Sequence, residues 1–151
     1  MRQAGGETYN VNCRRETGAG NFEFNVEATH TSSLDTSVTG VDLSRDAGTA
    51  AAPDWRARFD ARYARGPLRL TYSMSWLPQV LVSEGATIEN NPNPVIHSNA
   101  IHGISAQYDI TPMFTVRAGV ENLTDEEPSY PTIYYGDILG RQYYLGLRAR
   151  F

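Results

Sequence analysis

The chain has 151 residues and a formal net charge of −4 at pH 7 with no lysine, an acidic excess that argues against nucleic acid as a partner. A single cysteine, Cys13, excludes an internal disulfide, and without a Cys/His cluster we expect no metal site and no other cofactor. No apolar run approaches the roughly 18 residues of a helical membrane span, and the N-terminus lacks the basic and apolar regions of a signal peptide.

Apolar and polar residues alternate along successive segments, which is the period of a β-strand with two different faces. Residues 1–6 are expected to lack order, and 9–14 reads as the end of a strand whose beginning is missing. The complete predicted strands are 21–31, 54–64, 67–77, 101–110, 113–122 and 141–151.

The connections between these strands alternate between short and long. If the strands are antiparallel, every short connection lies at one end of the sheet. Outer-membrane β-barrels show this asymmetry, with short periplasmic turns and long extracellular loops, whereas a Greek-key sandwich mixes both lengths at each end. Short turns are predicted at 16–20, 65–67 and 111–112, and long loops at 32–53, 78–100 and 123–140.

The charged residues of the predicted strands fall on the face opposite the apolar residues. A lipid-facing arginine at mid-bilayer would cost roughly 2 to 4 kcal/mol, so a membrane strand must exclude it. A soluble sandwich also keeps charge off its core, so this pattern alone leaves both folds open. The charged positions are Glu23, Glu27, Arg56, Arg58, Asp60, Arg62, Arg69, Asp109, Arg117, Glu121, Arg148 and Arg150.

Aromatic residues of the predicted strands form two bands, one at each end of the sheet. Membrane barrels carry such girdles where the strands cross the two interfaces. The band near the short turns comprises Phe22, Tyr63, Tyr108, Phe114 and Phe151, and the band near the long loops comprises Trp55, Trp76 and Tyr143.

The last strand places its apolar residues on one face and ends the chain on phenylalanine, where a soluble protein would usually fray. We therefore predict an all-β fold, an antiparallel up-and-down transmembrane β-barrel segment of about six or seven strands from a larger barrel. The alternative is a soluble β-sandwich binding module, which explains the alternation but neither the terminal aromatic residue nor the sorted connections. Scattered Ser, His and Asp residues form no nucleophile motif, so we expect no enzyme.

The tail of the chain resembles the C-terminal end of a TonB-dependent outer-membrane receptor. In that family the penultimate strand runs into an asparagine-leucine-aspartate type of motif, here Asn122, Leu123 and Asp125. A Gly-Arg pair, here Gly140 and Arg141, opens the last strand, which ends in phenylalanine.

The resemblance, which extends over about residues 7–151, implies a plugged barrel of about 22 strands in the outer membrane of a Gram-negative bacterium. Such receptors import iron siderophores, cobalamin, metal chelates or carbohydrates with energy from the TonB complex, which they contact through the plug segment. Neither plug nor TonB-contacting segment is found here, so we expect the C-terminal part of a receptor, covering residues 7–151. The resemblance also implies contact with outer-membrane lipid and with the barrel-assembly machinery, whose signal would be Tyr143, Leu145, Leu147 and Phe151.

The last long loop carries the candidate ligand-binding residues. Aromatic side chains in loops offer rigid contact area to a small-molecule ligand, whose identity stays unknown. The alternative, that they pack the loop onto its neighbours, is the more usual role of aromatic residues. The candidates are Tyr130, Tyr134, Tyr135 and Asp137.

Overall fold

The computed structural model describes residues 2–37, 43–128 and 139–150. In these ranges the regular elements are all β-strands, and no helix is long and apolar enough to cross a membrane. The strands are β1 (Arg2–Thr17), β2 (Gly20–Thr36), β3 (Ser44–Arg45), β4 (Trp55–Arg65), β5 (Leu68–Leu77), β6 (Val80–Leu81), β7 (Val95–Ile96), β8 (Asn99–Asp109), β9 (Phe114–Glu121) and β10 (Gln142–Ala149).

One antiparallel sheet contains all the long strands in the order β1-β2-β4-β5-β8-β9-β10, and the two-residue β3 pairs with the end of β2. Long strands that follow one another along the chain are neighbours in the sheet, so the predicted up-and-down order is confirmed. The sheet is open: β1 and β10 lie at its edges, and the short β6 and β7 form a separate pair. An exposed edge leaves a row of backbone groups free to pair with further strands.

The first strand is longer than the sequence predicts. β1 is a complete strand of 16 residues, and its pairing with β2 begins at Arg2 opposite Thr36. Residues 2–6, which we expected to lack order, are therefore part of the sheet. Their pattern is hidden because Gly5 and Gly6 carry no side chain and mark a shift in register. A Cβ on Gly6 would lie 2.6 Å from the carbonyl oxygen of His30, so the two strands approach closely here.

The sheet has two chemically different faces. Residues that are directly paired in an antiparallel sheet share a face, and each step along a strand changes face. The apolar face is defined by rows such as Val26, Phe59 and Met74, and the polar face by rows such as Asn25, Asp60 and Ser73.

In the described structure no second layer covers the apolar face. Leu145 is 80% exposed and Ile104 is 46% exposed, although both are large aliphatic residues. Phe59, Met74 and Val116 are half-buried, without a second sheet over them. Between the stacked sheets of a sandwich these side chains would be fully buried, so the sandwich alternative is wrong.

Several charged residues near the ends of the strands depart from the predicted segregation of charge. Glu7, Arg15 and Arg65 belong to the apolar face by register, and each lies toward one end of it. Glu7 is on the long-loop side, whereas Arg15 and Arg65 are next to the short turns. The central part of the apolar face therefore remains free of charge among the residues that the structure describes.

The aromatic residues are also less strictly banded than predicted. The tilted rings of Phe22 and Tyr63 are in contact at the short-turn end, with centroids 4.9 Å apart, and the ring of His30 stacks on Trp55 at the loop end, with centroids 4.6 Å apart. Between these two bands, further aromatic contacts cross the middle of the apolar face: Phe24 with Phe59, Phe59 with Tyr72, and Tyr72 with His102.

Candidate functional site

Ion pairs line the polar face of the sheet. Arg58 forms an ion pair with Asp60 on the same strand, β4, at 2.9 Å, and Arg62 of β4 forms one with Glu23 of the neighbouring β2 at 3.2 Å. The arginine side chains of both pairs are more than half exposed, and exposed pairs contribute only about 0.2 to 1 kcal/mol to stability. The face is thus a wet, charged lining that favours polar partners.

A cleft of about 650 Å³ lies at the end of the polar face where the long loops emerge, and we call it the loop-end cleft. Strands β2, β4, β5 and β8 supply one side, and part of the first long loop supplies the other. Its polar lining comprises Glu27, Thr29, Thr31, Arg56, Arg58, Ser75 and Asn99.

The first long loop lines this cleft with Ala51 and Ala52 and packs on the second long loop. We call the packed segments the cap (residues 46–53, 78–82 and 94–96). Thr49 and Leu81 form a parallel bridge, and the Ala50 N–H donates to the Leu81 carbonyl at 2.8 Å. Val80 and Ile96 are 4% and 0% exposed, so the best-buried apolar side chains of the described structure belong to the cap. Because of this packing, the wall is an ordered surface.

The cap was not predicted from the sequence, because both stretches were interpreted as long loops. The available signal was a short apolar run beginning at Val80 and a second one at Val95, each flanked by proline. Runs of two or three apolar residues are too short to show a period.

Asn99 contributes an unusual group to the loop-end cleft. The residue is 2% exposed, and its side-chain Nδ2 has no hydrogen-bond partner among the described residues. A buried amide without a partner costs about 1 to 3 kcal/mol, so such groups are few in native proteins, and an ordered water or ion is one way to satisfy them. Together with the exposed guanidinium of Arg56, it makes this end of the polar face rich in donors for an acceptor oxygen.

A compact turn follows β9 and fixes the beginning of β10. Asn122 is fully buried and has a positive φ of 52°. Its Nδ2 donates to the carbonyl of Glu126 at 2.9 Å, and its Oδ1 accepts the backbone N–H of Glu126 at 2.8 Å. Asp125 Oδ1 accepts the backbone N–H of Arg141 at 2.8 Å. The motif that carries the family resemblance therefore stabilises the turn between β9 and β10 at the loop end of the sheet.

The predicted site residues lie partly outside the described ranges. This holds for all four ligand-binding candidates, Tyr130, Tyr134, Tyr135 and Asp137, and for Phe151 of the assembly signal. The other signal residues, Tyr143, Leu145 and Leu147, lie on the apolar face of β10 and are 72%, 80% and 69% exposed.

Within the described ranges, no group of three or more His, Cys, Asp or Glu side chains is placed to hold a metal ion. His102 instead hydrogen-bonds Tyr72, with 2.7 Å between Nδ1 and the phenolic oxygen, on the apolar face. We assign no catalytic role to this pair, because it lies outside both the ionic lining and the loop-end cleft.

No protein-family model and no curated protein matches the chain. Two solved structures from Pseudomonas aeruginosa match 98% of it: a mutant of the ferric enterobactin receptor PfeA, with TM-score 0.70 and 18% identity, and FpvA bound to a heterologous pyoverdine and iron, with TM-score 0.61 and 17% identity. The chain spans 22% and 20% of their lengths. Both are TonB-dependent receptors, so the chain has the fold of a part of such a receptor barrel, and its neighbours are receptors rather than enzymes.

Proposed function

We propose that this chain is the C-terminal part of the β-barrel of a TonB-dependent receptor in the outer membrane of a Gram-negative bacterium. The observation that carries the proposal is the uncovered apolar face of a single-layer sheet whose other face is ionic. In water this arrangement exposes large apolar side chains over several adjacent strands. Lipid on one side and a polar lumen on the other satisfy both faces.

The energetic argument follows from the exposed residues themselves. Moving a fully exposed leucine or isoleucine out of water contributes roughly 1.5 to 3 kcal/mol. Leu145, Leu147 and Ile104 all lie on the apolar face with large exposed fractions. Outer-membrane lipid is the partner proposed for this face, and further strands of the parent barrel are the partners of the edges of β1 and β10.

The connection lengths orient the sheet in the membrane. Short turns of outer-membrane barrels face the periplasm and long loops face the outside. The loop-end cleft and the candidates Tyr130, Tyr134, Tyr135 and Asp137 are then on the extracellular side. We propose that a small-molecule ligand, such as a siderophore, cobalamin, metal chelate or carbohydrate, meets the receptor there, with Asn99 and Arg56 as donors.

Import by the receptor is proposed to depend on the TonB complex, acting through a plug segment. Tyr143, Leu145, Leu147 and Phe151 are proposed as the signal for the barrel-assembly machinery.

Sedimentation of the purified chain with and without detergent tests the proposal. A membrane barrel segment should aggregate in plain buffer, because its apolar face and open edges are uncovered, and should become a β-rich monomer in micelles. A chain that stays monomeric and folded in plain buffer would exclude the membrane assignment.

A further inference from the structure

A second cleft, of about 780 Å³, lies at the opposite end of the polar face, next to the short turns. It is formed by β5, β8, β9 and β10 and lies away from the cap and the loop-end cleft. We call it the arginine cleft because its charged lining comprises Arg69, Arg117, Arg148 and Arg150 with a single carboxylate, Asp109.

The single carboxylate of this cleft already accepts hydrogen bonds from other residues of the sheet. The Asp109 carboxylate accepts hydrogen bonds from the Arg69 guanidinium at 2.7 Å, the Thr115 hydroxyl at 2.8 Å and the Gln107 amide at 3.4 Å. Arg117, Arg148 and Arg150 form no ion pair within the described ranges. Among the described residues, three positive charges therefore line the cleft without an acidic partner.

The register sets the spacing of these three arginines. Arg117 on β9 is directly opposite Gly146 on β10, so Arg148 is its diagonal neighbour, about 7 to 8 Å away. Arg150 follows Arg148 on the same face at about 7 Å, two residues further along the chain. A Cβ on Gly146 would meet nothing within 4 Å, so the space between the arginines is open.

We propose that the arginine cleft is a docking site for an acidic peptide segment that lies on the polar face in an extended conformation. Side chains on one face of an extended peptide repeat at about 7 Å, which matches the spacing of the arginines. Arginine also suits carboxylates because its planar fork can donate two parallel hydrogen bonds.

Other occupants fit this cleft less well. The acyl chains of a lipid would cover the apolar face, whereas these arginines lie on the opposite face of the sheet. A single inorganic anion would leave most of the volume empty. The arginine cleft lies at the other end of the sheet from the loop-end cleft. It is inferred from the charges and the register of β9 and β10, so it does not depend on the proposed function.

The test uses the full chain in zwitterionic detergent micelles and a fluorescently labelled peptide with aspartate at every second position and glycine between. A matched peptide with asparagine replaces every carboxylate by an amide. We expect anisotropy to rise with the aspartate peptide only, and binding to weaken with added salt because exposed charges are screened.

Substitutions locate the binding site. Arg117→Gln, Arg148→Gln and Arg150→Gln should each weaken binding about two- to fivefold, the range for exposed ion pairs, and the triple variant should abolish it. Arg14→Gln is the matched control, since Arg14 is on the same face but pairs with Glu16 on the far edge strand. Circular dichroism confirms that each variant keeps its β-structure, and Arg148→Glu should weaken binding more than Arg148→Gln, because it adds a charge that repels the aspartate peptide.

Equal binding of the aspartate and asparagine peptides would overturn the proposal, as would unchanged binding in a folded triple variant. Complete displacement of the peptide by inorganic phosphate at equal concentration would show a small-anion site and would also contradict it.

Discussion

The carboxylate of Asp125 accepts the backbone N–H of Arg141 at 2.8 Å, which joins the turn after β9 to the first residue before β10. Asp125 has a positive φ of 59°, a conformation that Asp and Asn tolerate better than other residues with a Cβ. The contact fixes where the last strand begins, so it sets the register of the edge strand.

Loss of this carboxylate should destabilise the last strand. Asp125→Ala removes the acceptor and places alanine at a positive φ, and we expect a loss of about 1 to 3 kcal/mol in the free energy of unfolding. Urea unfolding of the chain in micelles measures it. Asp125→Asn keeps an acceptor and tolerates this φ, so it should lose clearly less, and equal losses would contradict this role.

Gly140 and Gly146 should respond differently to alanine. Gly140 has a φ of 69°, and a Cβ there would lie 3.3 Å from Asp125 Oδ1, so Gly140→Ala should cost about 1 kcal/mol or more. Gly146 lies within β10 and faces open space, so Gly146→Ala should be neutral or slightly stabilising. The same unfolding experiment compares the two, and a reversed order would refute this account of the turn.

Replacing each of two buried asparagines by leucine should change the free energy of unfolding in opposite directions. Asn99 has an unpartnered Nδ2, so Asn99→Leu removes a buried group that costs about 1 to 3 kcal/mol and should be neutral or stabilising. Asn122 is fully bonded to Glu126, so Asn122→Leu should lose about that amount. Melting in micelles reports both signs, and destabilisation by both would indicate that Asn99 has a partner.

A charge on the apolar face should oppose membrane insertion. Ile104 lies mid-strand on that face, and Ile104→Arg should lower stability in lipid vesicles by roughly 2 to 4 kcal/mol. Gln142→Arg is the control and should change little, because Gln142 is exposed on the polar face directly opposite Glu121. Equal effects in a urea titration would show that the two faces do not differ in their contact with lipid.

Sequence periodicity predicted the central strands well because their alternation is unbroken. The pairing of Phe59 with Met74 follows from the short turn between β4 and β5, whereas the pairing of Val26 with Phe59 spans a long loop and does not follow from the sequence. Periodicity failed at Gly5 and Gly6, where backbone pairing continues without side chains to reveal it. It also failed in the cap, because the contacts that order the cap join residues far apart in the chain.

The candidate site was less predictable than the fold. A single sequence does not show that the Nδ2 of Asn99 is buried without a partner, since this depends on the packing of the cap. The same holds for Arg148 and Arg150, because their lack of acidic partners follows from the register between β9 and β10. The roles of Tyr130, Tyr134, Tyr135 and Asp137 remain predictions.

The most direct test of a lipid-facing apolar face uses the two tryptophans, Trp55 and Trp76, which both lie on it. With the chain folded into vesicles, lipids brominated on their acyl chains should quench this fluorescence strongly, and aqueous iodide should quench it weakly. A control with Trp55→Phe, Trp76→Phe and Ser75→Trp, whose tryptophan lies on the polar face, should give the reverse pattern. Native tryptophans quenched by iodide but unaffected by brominated lipid would contradict the membrane assignment.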